Sequence, residues 1–524
     1  MLFAPTREEV NEIADAKITI HDRHRFEIKL DIELADAGRG YGVDTYFFVP
    51  KALNIDPHTY PKEIFYRRIQ RHIRFKTPRF SLAAIADAAN PESPLTRIRN
   101  ALSELVAPGT DPAGIDAVFS ETKLLGVVSR GAIRDAVKDV LNGIEAIEPG
   151  GGGAAAVAGI AGAFLRDLEV YLAALSALRR QMLDESIPTR LRECFRFLDE
   201  FTSLTVQDYL SALLYAVRQR PDLREPFADA DSRMVAMIAH QESHRVAMGY
   251  PSVLSDEAMG STLPYRRGVL KKFISNVLFL NTEVSDWDGL SQVPLAIAAG
   301  LAMLFAAVVT VFAQSRYTTK SLPFVAAVVV SYIFKDRMKD WLKLYLSRGM
   351  VRWMADRKIR IRDPESGRVI GTLKEAFSFA DQKRVPAAVL QARKMDDITS
   401  IDEEGKPERI IRYQKEVSLF HSRILRAHRR RRDLNDIMRF NIDDFLRQAD
   451  DPTVDYLHLD PATGRLEHVQ CQRVYHVNIV FTYRSNDARK KGVERVERIR
   501  LVLNRDGIVR LDQVLPESQS AQRE

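Results

Sequence analysis

His240-Gln-Glu-Ser-His244 places two imidazoles four residues apart, which on a helix is one face and a spacing that can hold zinc. A metalloprotease of the H-E-x-x-H type needs its glutamate directly after the first histidine, as general base. Here Glu242 stands two positions on, and no third ligand is identifiable. The pair is expected to be ordinary surface histidines; a metal-dependent hydrolase using His240, Glu242 and His244 is the remote alternative. His21 and His24 flank Asp22 near the start of a strand, where positions i and i+3 do not share a face. The two cysteines, Cys194 and Cys471, lie far apart and form no metal-binding or redox pair. Glu148 to Phe164, rich in Gly and Ala, fails as a phosphate loop because no Lys-Ser or Lys-Thr follows the glycines; it reads as a flexible link. No catalytic, cofactor-binding or metal-binding residue is assigned, and no cofactor is expected.

Basic residues are the remaining chemical signal. Arg67, Arg68, Arg71, Arg74, Lys76 and Arg79 crowd one segment without an acid, and Arg429, Arg430, Arg431 and Arg432 form a run. A solvated face, or pairing with acids elsewhere in the fold, is the simplest account of the first group. As ligand contacts, Arg67, Arg68, Arg71, Arg74 and Arg429 to Arg432 are the candidates for an anionic surface. Without interleaved aromatics or a recognised reader fold, lipid headgroups are favoured over nucleic acid.

These side chains must be held by elements, and the plainest element is apolar. Residues 293 to 313 read VPLAIAAGLAMLFAAVVTVFA without a charge, and about 20 apolar residues are what an α-helix needs to cross a bilayer. A second run, Leu322 to Phe334, follows a polar connection holding Arg316 and Lys320. At ~1.5 Å per residue it reaches roughly 20 Å against a core of about 30 Å, so it spans only with help from Thr318, Thr319 and a snorkelling Lys320. A two-helix transmembrane hairpin is expected over 293–334, with a re-entrant second segment or a buried soluble hairpin as alternatives.

Orientation follows from Lys335, Arg337, Lys339, Lys343, Arg348 and Arg352 after the second run, since cytoplasmic flanks are enriched in Lys and Arg. Upstream, YRRGVLKKFISNVLFL sets Val269, Leu270, Phe273, Ile274, Val277 and Leu278 at helical spacing beside Arg266, Arg267, Lys271 and Lys272. It reads as a basic interfacial helix, with packing on the protein's own core as the bland account. The amino terminus carries neither a basic n-region nor an apolar h-region. The expected location is a bacterial-type inner membrane with both termini cytoplasmic, where the two cysteines stay reduced.

At 524 residues, 46% hydrophobic and 28% charged, the chain supports several domains with real cores. A mean hydropathy of −0.20 is too polar for a multi-span transporter. The net charge of +7 favours anionic partners. Phe26 to Leu34 alternates apolar with charged residues and predicts a strand; with a turn at Gly38, Gly40 and Gly42 it predicts an N-terminal β-hairpin of strands near 17–35 and 43–49. A helix is predicted with Phe65, Ile69 and Ile73 on its core face. KIRIRDPESGRVIGTL predicts a small hairpin, and Tyr475 to Tyr483, Ile499 to Leu503 and the Asp506-Gly507 turn predict a C-terminal antiparallel meander, with ESQSAQRE disordered beyond it. The fold class is α+β with four parts: 1–148, an N-terminal α+β domain; 149–292, a helical region; 293–334, the transmembrane hairpin; and 335–524, a C-terminal cytoplasmic α+β domain.

The expected function is that of an integral membrane scaffold or interaction protein, more an adaptor than an enzyme. Its partners are the bilayer, anionic lipid headgroups, an unidentified protein and a second copy of itself. A membrane-tethered nucleic-acid-binding protein is the alternative.

Overall fold

The computed structural model describes residues 18–32, 40–105, 112–147, 153–252, 262–285, 288–318, 321–351, 355–394, 408–427, 430, 433–462, 464–485 and 495–514. In chain order it opens with β1 (Ile18–Asp22), β2 (Arg25–Ile32), β3 (Gly40–Pro50), α1 (Lys62–Arg68) and β4 (Ile69–Phe75). A helical block follows: α2 (Leu82–Ala86), α3 (Pro94–Leu105), α4 (Pro112–Glu145), α5 (Ala154–Gln181), α6 (Thr189–Arg218), α7 (Ala228–Ala247) and α8 (Thr262–Ser275). Then come β5 (Asn281–Ser285), the long helices α9 (Asp288–Arg316) and α10 (Leu322–Val351), β6 (Arg357–Arg362), β7 (Val369–Ala380), α11 (Ala387–Lys394), β8 (Glu408–Leu419) and α12 (His421–Ala427). The chain closes with β9 (Leu434–Asn441), α13 (Asp443–Leu446), β10 (Thr453–Leu459), β11 (Leu466–Gln472), β12 (Tyr475–Ser485), β13 (Arg495–Asn504) and β14 (Gly507–Val514).

Two antiparallel sheets stack face to face. One has the order β1-β2-β9-β4, the other β14-β13-β12-β3-β8-β7-β6-β5. Alternation sends Phe26, Ile28 and Leu30 of β2 inward, where Phe26 stacks on Phe440 of β9 and Phe47 of β3 meets the same ring edge-on. The strand expected at Phe26 to Leu34 is present, but its partner is not the one expected. β2 pairs with β1 and β9, whereas β3 lies in the other sheet between β8 and β12, so the 17–35/43–49 hairpin does not form. Gly40 opens β3 because a Cβ there would collide with the Val417 carbonyl oxygen of β8.

The expected helix through Ile73 stops at Arg68. Ile69, Ile73 and Phe75 continue as β4 on β9, placing those apolar groups between the sheets. Each of these two sheets is built from both ends of the chain. The meander β12-β13-β14 and the small hairpin β6-β7 form as expected, and the 515–524 tail lies outside the described residues.

The helical block is an insertion between β4 and β5. Its axis is α6, whose residues Leu198 to Val206 are all buried. α4 approaches so closely at Gly126 that a Cβ would meet Leu198 and Ile274 at 2.9 and 2.8 Å. The Gly/Ala tract is not a link from Ala154 on: α5 starts there and buries Val157, Ala161, Phe164 and Leu165. α8, read as interfacial, buries Leu270 and Ile274 in this block, which is the bland account.

A second insertion, between β5 and β6, is the helix pair α9 and α10. Phe305 and Phe334 meet at 6.0 Å between ring centroids, and Ala298, Ala302, Ala313 and Ser331 are buried between the helices. Only one of the two, over Ala296–Arg316, is long and apolar enough to cross a bilayer. The expected hairpin thus has one full-length candidate span in place of two: the apolar run of α10 stops at Lys335, short of an average bilayer's depth.

Candidate membrane site and buried ionic clusters

The histidine pair does not converge. His240 is exposed, while the His244 Nε2 lies 2.8 Å from Asp199 Oδ2 in the helical block, with a side chain only 13% exposed. Tyr250 donates to the same carboxylate at 2.6 Å and Arg179 to its other oxygen at 2.8 Å. Burial alone would raise the Asp199 pKa; the hydrogen bonds from His244 and Tyr250, with the Arg179 charge, outweigh it and hold the carboxyl below its ordinary range. His244 is thus a tie from α7 to α6 and not a surface residue. Among the described residues no group of three or more His, Cys, Asp or Glu is arranged to hold a metal ion.

Acids from distant segments meet several of the expected anionic-surface contacts. Arg68 donates to Asp444 at 2.6 Å and Asp443 at 3.1 Å, Arg71 is paired with Glu375, and Arg430 with Glu121. Arg74 is half-buried in β4, and Arg67 is exposed. Arg429, Arg431 and Arg432 lie outside the described residues. Arg266 and Arg267 of α8 are held by Glu200 and Asp208 at 2.6 and 2.8 Å. Each engaged guanidinium would have to leave a carboxylate before meeting a phosphate.

Sequence reasoning missed the polar layer between the sheets. Lys415 of β8 and Asp436 of β9, both fully buried, meet at 2.5 Å; Tyr41 donates to Asp436 at 2.8 Å, and Tyr413 to Glu375 at 2.5 Å. Arg71 and Glu375 supply one more charge of each sign, so the layer is balanced. Burial pulls the Lys415 pKa down and Asp436 pushes back, while burial carries both tyrosines well above their ordinary range. A lysine with a depressed pKa is a familiar nucleophile, but substrate would have to reach it. The neighbouring cavity, lined by Phe26, Phe47, Phe65 and Phe440 among others, is about 10 Å³, room for one water. This layer joins the two sheets across their interface.

The surface that stands out is α9 and α10. Only 17% of the Ala296–Arg316 stretch is buried. Leu304, Val308 and Phe312 are 60–68% exposed, and Val329 and Ile333 of α10 are 51% and 59% exposed. Burying an aliphatic or aromatic side chain is worth about 1.5–3 kcal/mol, so such a face left in water is costly, and a contiguous one marks an apolar partner. Two hydroxyls on α9 are satisfied within the helix: Thr310 donates to the Ala306 carbonyl and Ser315 to that of Phe312, both at 2.8 Å. That is what an apolar solvent demands, and the small residues between the helices suit close packing in lipid.

Charge bounds the apolar zone on one side. Phe334 is level with Phe305, and directly below it α10 carries Lys335, Asp336, Arg337, Lys339 and Asp340, exposed apart from Lys335. Each charge in a helix centre costs about 2.5–3.5 kcal/mol, against ~0.3–0.6 gained per Leu or Ile, so this belt outweighs the apolar residues of α9 at its own level. In sequence, all three tryptophans, Trp287, Trp341 and Trp353, flank the apolar segments, an arrangement aromatic belts have at membrane interfaces; Trp287 and Trp353 lie outside the described residues. The roots of the pair are fixed. β5, just before α9, pairs with β6, just after α10, from Asn281↔Arg362 to Ser285↔Lys358.

Compared with known protein families, curated proteins and solved structures, the chain matches none of them.

Proposed function

We propose that this chain is an integral membrane protein in which α9 and α10 cross the bilayer as a hairpin and hold a large α+β body in the cytoplasm as a scaffold for a protein partner. The observation that carries the proposal is the outward-facing apolar surface of α9. Two further features support it. Because β5 and β6 are neighbours in one sheet, the ends of the hairpin share a compartment, so if α9 crosses, α10 returns. Lys335, Arg337 and Lys339 at the base of α10 favour the anionic cytoplasmic leaflet, where each basic residue near the surface is worth ~1 kcal/mol. The residues available for headgroup contact are therefore at the hairpin base, in place of Arg68, Arg71 and Arg430. The packed, charge-stitched body suits a docking surface more than a substrate pocket.

The test is extraction and labelling of the full chain in cells. The protein should resist alkaline carbonate extraction. An impermeant maleimide should label Ser315→Cys in intact cells in a Cys471→Ser background, but should reach the exposed native Cys471 only after lysis. Release by carbonate, or labelling of Cys471 in intact cells, rejects the proposal. Capture of the detergent-solubilised protein then identifies what the scaffold holds.

A further inference from the structure

The two helices of the hairpin do not offer the membrane the same length. On α9 the apolar stretch covers Ala296–Arg316, long enough at ~1.5 Å per residue for an average core of about 30 Å. The helices are packed side by side, however, and share one depth. The contact of Phe305 with Phe334 fixes their register, so the residues of α9 before Phe305 lie beside the charged belt of α10. At the other end, Arg316 closes α9 and sets a charge at the tip. From Leu322 to Lys335 the helix rises roughly 20 Å, and from Phe305 to Arg316 roughly 17 Å. The zone both helices can give to hydrocarbon is about 20 Å deep, two-thirds of an average core.

Resting on the proposed insertion of the hairpin, we propose that this protein is matched to thin bilayer: its hairpin prefers short-chain or locally thinned membrane and thins a thicker one around itself. The geometry excludes the two ways a long helix escapes mismatch. Tilting shortens a span but cannot lengthen one, and sliding deeper would carry Lys335, Asp336 and Arg337 into hydrocarbon. Lys335 already leans back, its Nζ lying 3.6 Å from the centre of the Tyr332 ring. Trp341, 65% exposed, sits roughly 10 Å below Phe334, at headgroup depth when the hydrocarbon ends near Phe334.

The test uses the full chain, purified in detergent and carrying Ser315→Cys with Cys471→Ser. It is reconstituted into vesicles of dimyristoleoyl- or dierucoyl-phosphatidylcholine, each with the same fraction of matching phosphatidylglycerol. After an alkaline wash, the fraction floating with the thin vesicles should exceed that with the thick ones by about threefold or more. In the thin vesicles the thiol introduced at position 315 should react with impermeant maleimide only once the vesicles are opened. Neutralising the belt, with Lys335→Leu, Asp336→Leu, Arg337→Leu and Lys339→Leu together, should move the preference toward the thick lipid. Equal or greater retention in thick vesicles overturns the thin-bilayer match and leaves the insertion proposal standing. Retention in neither lipid overturns both. The wild-type comparison of the two lipids decides the matter even if the fourfold variant fails to fold.

Discussion

Leu304, Val308 and Phe312 stand out from α9 into the surroundings, while Lys415 and Asp436 are sealed between two sheets. Both regions reverse the usual placement of apolar and charged groups, in opposite senses and with different consequences. The sheet layer is complete: each charge has a counter-charge, and the tyrosines cap the remaining oxygens. The hairpin is incomplete, because nothing among the described residues covers its outer face. A self-satisfied reversal reads as architecture, and an unsatisfied one points to something outside the molecule.

The comparison breaks first at the hairpin. Val308→Arg with Val329→Arg puts two charges on the outward faces; at about 2.5–3.5 kcal/mol each, membrane retention should fall from nearly complete to a minor fraction in carbonate extraction. Unchanged retention would mean that the face does not meet lipid. In the sheet layer, Lys415→Met leaves Asp436 buried beside an apolar neighbour and should destabilise the body by about 3–5 kcal/mol. The double variant Lys415→Met/Asp436→Leu should recover most of that, read by thermal unfolding of the detergent-solubilised protein. Failure to recover would assign the layer a role beyond balancing its own charges.

The helical block tests the same logic at lower stakes. The Asp199 pKa is depressed in the fold, so its ionised form contributes stability at pH values above the unfolded-state value of ~3.9, and that contribution fades as pH falls through the folded pKa. Asp199→Asn should cost about 1–3 kcal/mol near neutrality and flatten the acid limb of unfolding below pH ~4. A variant with an acid limb as steep as wild type would remove Asp199 from the account. The smallest effects separate the two histidines. Exposed His240→Ala should stay within about 0.5 kcal/mol of wild type. His244→Ala, losing its contact with Asp199, should cost roughly 1–2 kcal/mol. Equal effects would mean that the contact contributes nothing.

Local patterns were legible in the sequence, and partners far along the chain were not. The period-2 alternation of Phe26 to Leu34, the turn at Asp506-Gly507 and the uncharged run before Gln314 each depend on neighbours within a dozen positions, and each appears where expected. Ile69 and Ile73 misled because an i, i+4 apolar pair also fits a strand once Phe75 is included and β9 arrives to pair with it. Pairing of Arg68 with acids elsewhere was an open account in the sequence, but its partners Asp443 and Asp444 could not be named because they lie some 375 positions away. The interleaving of both chain ends in two sheets leaves no local trace, since a strand sequence specifies its faces but not its neighbour. At the candidate site, the apolar surface was readable from composition; the charged belt that limits its depth needed the pairing of Phe305 with Phe334.

The pairing of β5 with β6 also dictates an order of events. β3 emerges early in synthesis, yet Thr45 meets Tyr413 and Phe481 only after those residues have left the ribosome. At about 5–20 residues per second, the wait for β8 lasts tens of seconds. In that interval α9 and α10 are made, and under the proposed insertion they would be handed to the membrane while the sheet that receives them is unfinished. Under that proposal, closing β6 onto β5 would act as a latch that shuts only once the hairpin has gone in and come back. A chain whose hairpin is not accepted would keep β3 and the edge of β7 unpaired and prone to aggregation or proteolysis, so assembly would carry its own check on delivery.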